Sequence, residues 1–356
     1  MHDEEPPLSD DWTGAIDCDV HPRAPTARAL WAYMDEHWRD TAEVRGIDAW
    51  ETISYPAKAP LTMRPDWRDS AADANAAKAA QATLDRFGFA TSICNSLFPV
   101  QAFRDESLAA AFARALNDWL AAEWLDRDAR LKGSVVIPVQ SPTRSVEEIE
   151  RRAGDARFVQ VLMLAFGEQP LGKPFYWPIY EAAERHGLPV ALHVFGASGH
   201  PYTGTGWPSY YIEEGAGHST SCQTVVTSLV IEGVFERFPK LKVVIVEGGF
   251  AWLAPLAWRL DKLYERMRGE VPHLKRKPSD TIREHIWVTT QPMEEPESRT
   301  HVLDMMDWIG WDRLLFSSDY PHWDFDDPFR AFPAGIPRER IQQILTANAR
   351  SVYRLG

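Results

Sequence analysis

The sequence predicts an α/β fold, a (β/α)8 TIM barrel with an insertion after the first strand, from three observations. Eight short apolar runs, most of them rich in Val, Ile and Leu, recur along the 356 residues. A segment with helical periodicity follows each run. Near-continuous apolar runs are typical of parallel strands buried on both faces, and eight such units favour a closed barrel. An open, doubly wound sheet is the alternative.

The elements alternate from one end of the chain to the other. The eight runs read AIDCDVHP, FATSICNSL, KGSVVIPVQ, FVQVLMLAF, PVALHVFG, LKVVIVEGG, HIWVTTQP and RLLFSSDYP. Helices are expected near residues 71–88, 105–126, 145–153, 175–186, 221–238, 250–268 and 296–307, and in the C-terminal PRERIQQILTANARSVYRL. Ser70 is a candidate N-cap of the first helix, which Gly88 ends. A loop rich in Gly and Pro is expected over residues 197–220.

The domain organisation predicted from this order is simple. No repeat, long low-complexity tract or linker divides the chain, so residues 1–356 are expected to form one domain. Residues 23–70 interrupt the first β/α unit and contain four of the fifteen tryptophans. We expect this segment to be an insertion or cap over the barrel mouth.

Composition excludes several classes of protein. The 38 Lys and Arg residues against 51 Asp and Glu give a net charge of −13, which argues against nucleic-acid binding. We expect no membrane span, because no 18-residue apolar stretch occurs, and the acidic MHDEEPPLSD is unlike a signal peptide. Three widely spaced cysteines, Cys18, Cys94 and Cys222, indicate a reducing compartment without disulfides, and hence a cytoplasmic location.

Polar residues at the first strand end carry the first functional signal. Strand side chains alternate between faces, so Asp17, Asp19 and His21 point the same way. If they point into the barrel, burying them without partners costs several kcal/mol each, and a metal ion removes that cost. A solvated loop with an Asx turn is the alternative.

Two more polar residues extend this signal. His193 lies in the apolar fifth run and Asp319 ends the eighth. Because barrel closure makes the first and eighth strands neighbours, Asp19, His21 and Asp319 can meet, with His193 facing them across the barrel. Two His and two Asp suit one divalent metal ion, zinc first, with manganese or iron as alternatives. A hydrogen-bonded core histidine and a turn aspartate are the alternatives for His193 and Asp319.

Five motifs together resemble a known family. They are Asp19-Val20-His21, the PV-x-x-H that ends at His193, FERFPKLKVVIVEGGFAWL, LLFSSDYPHWD and ILTANARSVYRL. In this order, over residues 15–355, they resemble the amidohydrolase superfamily. The similar branch contains aminocarboxymuconate-semialdehyde decarboxylase and γ-resorcylate decarboxylase. The resemblance implies that Asp19, His21, His193 and Asp319 bind the metal, that Asp319 moves a proton, and that a small-molecule substrate and a homodimer are to be expected.

One residue departs from the decarboxylase pattern. Where those relatives place a His at the end of the sixth strand, this chain has Glu247, followed by Gly248 and Gly249. An imidazole and a carboxylate differ in charge and basicity, so Glu247 is a candidate general base, metal ligand or hydrogen-bond acceptor, with a structural ion pair as the alternative.

Because of Glu247, we expect a metal-dependent hydrolase acting on a small, carboxylated, cyclic or unsaturated substrate through an activated water. A metal-dependent decarboxylase of an aromatic or muconate-type acid is the first alternative, and a metal-free binding protein on the same scaffold is the second.

Further candidates surround this centre. His322 and His218 are candidate catalytic residues, since one closely follows Asp319 and the other precedes a predicted helix. Arg64 is a candidate clamp for a substrate carboxylate. Three tryptophans are candidate walls of the substrate pocket, namely Trp67, Trp207 and Trp252.

Overall fold

Eight parallel strands form one sheet in the order in which they occur in the chain, with helices around it, which confirms the predicted (β/α)8 barrel. The structure is a computed structural model that describes residues 13–48, 63–64, 67, 75–194, 201, 204 and 206–355. The strands are β1 (Ile16–Val20), β2 (Thr91–Cys94), β3 (Leu131–Val136), β4 (Phe158–Leu164), β5 (Val190–His193), β6 (Val243–Val246), β7 (Ile286–Thr289) and β8 (Leu314–Leu315). Each lies within one of the eight predicted runs, except that β3 begins one residue before its run, at Leu131.

The strand register brings the carboxyl ends of the strands to one edge of the barrel. Leu164 pairs with His193, and His193 pairs with Val246, so β4, β5 and β6 end level with one another. All residues of β4, β5 and β6 are buried, as expected for strands covered on both faces. Polar side chains at this edge therefore lie together at one mouth of the barrel.

The barrel closes through backbone hydrogen bonds between the end of β1 and the segment after the short β8. The amide of Asp319 donates to the carbonyl oxygen of Asp19 (3.1 Å), and the amide of His21 donates to that of Tyr320 (2.7 Å). These bonds place Asp319 beside β1, as predicted from the closure of eight strands.

Helices surround the sheet and fill the connections between strands. They are α1 (Ala27–Leu30), α2 (Glu36–Val44), α3 (Ala76–Ala80), α4 (Glu106–Leu120), α5 (Pro142–Arg152), α6 (Trp177–His186), α7 (Tyr211–Ile231), α8 (Val234–Arg237), α9 (Leu253–Met267), α10 (Pro278–His285), α11 (Arg299–Ile309), α12 (Arg338–Gln342) and α13 (Asn348–Tyr353). Among the helices described, none is long and apolar enough to cross a membrane. The cysteines Cys18, Cys94 and Cys222 are buried and free.

Helix α7 corrects the sequence-based boundary most strongly. The predicted loop over 197–220 gives way to helix at Tyr211, ten residues before the predicted start. The carboxylate of Glu213 accepts hydrogen bonds from the amides of Ser209 and Tyr210 and stabilises the helix start. The glycines of the GAG sequence lower local helix propensity, but the buried side chains of this stretch hold it against the barrel.

The insertion lies only partly within the described residues. It contains α1 and α2, and near its end Met63 forms an antiparallel bridge with His322, while the amide of Arg64 donates to the carbonyl of Pro321 (3.0 Å). This end of the insertion therefore contacts the barrel mouth. The predicted N-cap Ser70 lies outside the described residues, and Asn75 caps α3 by accepting from the amide of Lys78.

Candidate metal centre

Six ionisable side chains meet at the mouth of the barrel, on segments at the ends of β1, β5, β6 and β8. They are Asp19, His21, His193, Glu247, Asp319 and His322. All but His322 are buried. The four predicted ligands are thus brought together, and Glu247 and His322 join them.

Backbone carbonyls fix how the first two histidines present their rings. The Nδ1 atom of His21 lies 2.9 Å from the carbonyl oxygen of Asn95, and that of His193 lies 2.8 Å from the carbonyl oxygen of Val194. A carbonyl oxygen can only accept, so each Nδ1 carries the proton and donates. In the neutral ring, each Nε2 then presents a lone pair to the centre, which is the arrangement found in metal-binding histidines.

Carboxylate oxygens surround both Nε2 atoms. His21 Nε2 lies 3.1 Å from Asp19 Oδ1 and 3.0 Å from Asp319 Oδ1. His193 Nε2 lies 3.4 Å from Asp19 Oδ2 and 3.2 Å from Glu247 Oε2. If both rings are neutral, the lone pair of each Nε2 faces the lone pairs of carboxylate oxygens at these distances. Because lone pairs repel one another, a proton or a cation must lie between them.

The donor atoms fit a divalent cation. Two overlapping sets, Asp19, His21, His193 and Glu247, and His21, Glu247, Asp319 and His322, each place one ligand atom per residue within 4.8 Å of the others. Among the described residues, Asp19 Oδ2, His21 Nε2 and Glu247 Oε2 are buried without a hydrogen-bond partner. The two sets together offer three carboxylates and three imidazoles, a mixture of N and O donors that suits zinc or manganese.

Burial and close charges move the pKa values of the acids in opposite directions. Burial, joined by the carboxylates of Asp319 and Asp19, raises the pKa of Glu247 well above its usual value. Burial also opposes ionisation of Asp19, but the charges of His21 and His193 outweigh it and lower the pKa of that carboxyl. A cation would relieve the repulsion that raises the pKa of Glu247.

The backbone is strained where two of the acids project. Glu247 has φ of 58° and Asp319 has φ of 61°, in the left-handed region that residues with a Cβ rarely adopt. After Glu247, a Cβ on Gly248 would lie 2.7 Å from Cys222 Sγ, so only glycine lets the chain pass α7 at this point. Both strained turns carry an acid of the centre, as expected where strain is retained for function.

The two candidate catalytic histidines lie within or next to the centre. His322 Nδ1 lies 2.7 Å from Asp319 Oδ1, and its ring stacks on that of His21 with centroids 4.5 Å apart. His218 is buried inside α7, not ahead of a helix as predicted. Burial and the charge of His193 lower the pKa of His218 to about 4, so it is neutral at pH 7.

The predicted substrate residues occupy different environments. The guanidinium of Arg64 stacks over Trp67 at 4.4 Å from the ring centroid, and Trp67 packs against Tyr320 at the mouth. The indole N–H of Trp252 donates to the carbonyls that follow Glu247. Trp207 lies at the surface with 53 % exposure. Arg64 and Trp67 thus stand beside the segment after β8, whereas Trp252 supports the β6 turn.

Sequence reasoning missed two amides that hold predicted ligands. After β2, Asn95 Nδ2 donates to Asp19 Oδ1 (2.8 Å), and its Oδ1 accepts from Ser134 and Gln160 inside the barrel. After β7, Gln291 donates to Asp319 Oδ2 (3.2 Å). Both amides follow buried runs directly, and that position is the sequence signal that could have found them.

Comparison with known proteins assigns the family. A sequence model described as "Amidohydrolase" (Amidohydro_2) matches residues 16–355. The chain belongs to the amidohydrolase family. The γ-resorcylate decarboxylase of Polaromonas sp. is 28% identical over 291 residues, covering 77% of this amidohydrolase and 86% of the relative. That of Rhodococcus jostii is 27% identical over 296 residues, covering 76% and 85%. The resemblance inferred from the motifs is thereby confirmed.

Solved structures agree with the fold of this amidohydrolase. The 5-carboxyvanillate decarboxylase of Sphingomonas paucimobilis matches with a TM-score of 0.70 at 22% identity, over 97% of this chain and 100% of the other. The dihydroxybenzoic acid decarboxylase of Polaromonas sp., solved with bound manganese and the inhibitor 2-nitroresorcinol, matches with 0.68 at 23% identity, over 96% and 97%.

These relatives change the balance between the functions considered. They are enzymes, as expected, and they favour the decarboxylase alternative over the hydrolase that Glu247 suggested. The sequence places zinc first among the candidate ions. Because one relative was solved with bound manganese, zinc and manganese are equal candidates for the site. The homodimer and the cytoplasmic location stay predictions.

Proposed function

We propose that this amidohydrolase is a metal-dependent decarboxylase of a hydroxylated aromatic carboxylic acid. The observation that carries the proposal is the cluster of Asp19, His21, His193, Glu247 and Asp319, whose buried acceptor atoms face one another across about 3 Å. The curated relatives and solved neighbours named above, which are decarboxylases of aromatic acids, support the choice of reaction.

The reaction exchanges a carboxylate for a proton on one ring carbon. The bond between ring and carboxylate breaks, its electron pair stays with the ring carbon, and that carbon takes up a proton while CO2 leaves. A divalent cation, when bound, supplies positive charge that can hold the anionic oxygens of the substrate. The protein has to orient the acid, exclude water and deliver the proton at the right carbon.

Asp319 and His322 are suited to the proton transfer. Their side chains are in contact at 2.7 Å, and the side chain of His322 is 18% exposed while that of Asp319 is buried. A proton taken from solvent at His322 can therefore pass to Asp319 and reach the substrate without opening the centre to water.

Arg64 and the aromatic residues near it are suited to hold the substrate. Arg64 lies over the rings of Trp67 and Phe325, with its Cζ 4.4 and 5.6 Å from their centroids. Stacking limits the freedom of the guanidinium, which can bind an anionic oxygen through paired N–H groups. We assign Arg64 to the substrate carboxylate and Trp67 to the pocket wall.

The test is release of CO2 from a panel of hydroxybenzoic acids, 2,6-dihydroxybenzoate and 5-carboxyvanillate included, by protein loaded with Mn²⁺ or Zn²⁺. We expect turnover of at least one acid, and a loss of about 10²- to 10⁴-fold in kcat for Asp319→Asn, the range that general acid–base groups contribute. Asp307→Asn is the matched control, since Asp307 lies on α11, accepts from the Trp311 indole N–H and is not among the six side chains of the centre.

Two outcomes would overturn the proposal. Hydrolysis of lactones or amides by the loaded protein, with no CO2 from any acid, would restore the hydrolase that Glu247 suggested. Protein that takes up neither ion after metal-supplemented growth would favour the metal-free binding protein, the second alternative considered from the sequence.

A further inference from the structure

The last residue of β7 and the segment that follows it supply no candidate ligand, yet they contact two acids of the metal centre. The amide of Glu247 donates to Thr289 Oγ1 (3.1 Å), and that hydroxyl donates to the carbonyl of Gln291 (3.4 Å). Gln291 Nε2 then donates to Asp319 Oδ2 (3.2 Å) and to the carbonyl of Asp324 (3.3 Å). One short stretch of chain therefore connects the ends of β6 and β8.

The orientation of the Gln291 amide is fixed by its neighbours. Both groups that it faces, the Asp319 carboxylate and the Asp324 carbonyl, are acceptors, so the NH2 end must point to them. The side chain is fully buried. The backbone N–H of Gln291 donates to Ser317 Oγ (3.2 Å), and this bond anchors the main chain that carries the side chain. The donor is thus held in place before any ligand arrives.

This contact divides the two oxygens of Asp319 between different tasks. Oδ1 faces His21 Nε2 at 3.0 Å and His322 Nδ1 at 2.7 Å, whereas Oδ2 faces Gln291. A carboxylate torsion is soft, so without a partner on Oδ2 the group can turn away from the histidines.

We propose that Gln291 is a positioning residue of the metal centre, acting on Asp319. Its amide holds Oδ2 of Asp319 so that Oδ1 stays directed at the cation and at His322. This assignment rests on the proposed metal-dependent function, because it presumes that Asp319 serves a bound ion. Partners that orient a ligand in this way are worth 10- to 100-fold in metal affinity or activity.

The experiment is a double-mutant cycle on Mn²⁺ affinity, which requires no substrate. Gln291→Met keeps the volume and removes the donor, and Asp319→Asn removes the charge on which the donor acts. We expect Gln291→Met to weaken Mn²⁺ binding at least about 10-fold in the wild-type background, and less than about 2-fold in Asp319→Asn. Gln140→Met is the matched control, because the Gln140 amide likewise donates two hydrogen bonds, but to the backbone carbonyls of Val100 and Phe103 and not to an acid of the centre.

If the role of Gln291 is purely structural, Gln291→Met should weaken Mn²⁺ binding equally in both backgrounds, and that result overturns the assignment. Unchanged Mn²⁺ affinity in Gln291→Met overturns it as well. Wild-type protein that binds neither Mn²⁺ nor Zn²⁺ overturns the metal-dependent function together with the assignment, and if only Zn²⁺ binds, the same cycle is measured with Zn²⁺. Measurable but additive losses overturn the assignment alone. If Asp319→Asn binds too weakly to titrate, a crystal structure of Gln291→Met decides: the Asp319 carboxylate should have turned from His21, and a carboxylate in its original place refutes the positioning role.

Discussion

The Nε2 atoms of His21 and His193 each lie within 3.4 Å of two carboxylate oxygens, and this separates them from the buried His285. His285 also has Nδ1 on a carbonyl, that of Leu241 (3.0 Å), but its Nε2 lies 3.3 Å from the Arg276 guanidinium and 3.9 Å from a single carboxylate oxygen, that of Glu284. We expect His193→Ala to lower Mn²⁺ affinity more than about 100-fold, beyond the cost of losing an outer-shell partner, and His285→Ala to leave it unchanged. Isothermal titration of both variants checks this, and full metal occupancy in His193→Ala would remove it from the ligand set.

At the scale of single residues, the sequence predicts which side chains meet but not the backbone conformations that orient them. Strand alternation and barrel closure suffice to bring Asp19, His21, His193 and Asp319 together, because both follow from period and strand number. The left-handed backbone of Glu247 and Asp319 depends on close packing by residues distant in sequence, such as Cys222 against Gly248. No local sequence pattern encodes that contact, so its position in a motif is what identifies Glu247 as a candidate site residue.

At the scale of elements, prediction worked where the local signal agreed with the tertiary environment. The apolar runs of β4 and β6 are buried throughout, and both were located from composition. In α7 the local signal pointed the other way, since Gly215 and Gly217 favour a loop, whereas packing of buried residues such as His218 against the barrel favours a helix. Tertiary contacts decide such segments, and a single sequence does not display them.

The packing of α7 against the segment before α6 gives a prediction at this same scale. Gly172, before α6, lies so close to α7 that a Cβ would stand 2.2 Å from the carbonyl oxygen of Ser228, and its amide donates to Ser228 Oγ (3.0 Å). We expect Gly172→Ala to lower the free energy of unfolding by about 1–3 kcal/mol, the range for overpacking. Gly154→Ala, whose Cβ would meet nothing within 4 Å, should stay within about 0.5 kcal/mol of wild type. Urea unfolding followed by tryptophan fluorescence measures both, and equal stabilities would show that the loop can yield.

For the whole molecule, closure of the barrel and assembly of the metal centre depend on the same contacts. Asp17, fully buried in β1, accepts from the Ser318 amide (2.9 Å) and the Ser318 hydroxyl (2.6 Å), across 301 positions of sequence. Ser318 directly precedes Asp319, so the bond that joins the first and last strands also sets the position of an acid of the centre. The paired motifs at the two ends of the chain therefore serve the fold and the site at once.

This shared role separates Ser318 from an ordinary buried serine. Ser145 Oγ also donates one hydrogen bond, to the carbonyl of Pro138 (2.8 Å), away from the centre. We expect Ser145→Ala to lower the free energy of unfolding by about 1 kcal/mol, the usual net value of one hydrogen bond. Ser318→Ala should lower it by about 1.5–3 kcal/mol, because the Ser318 hydroxyl donates to the Asp17 carboxylate and accepts from the Tyr320 amide (3.2 Å). Only Ser318→Ala should also weaken Mn²⁺ binding, by several-fold, because the segment that carries Asp319 loses one of its two hydrogen bonds to Asp17. Urea unfolding and Mn²⁺ titration of the two variants provide the comparison, and equal Mn²⁺ affinities would mean that the backbone bond from Ser318 to Asp17 alone positions the acid.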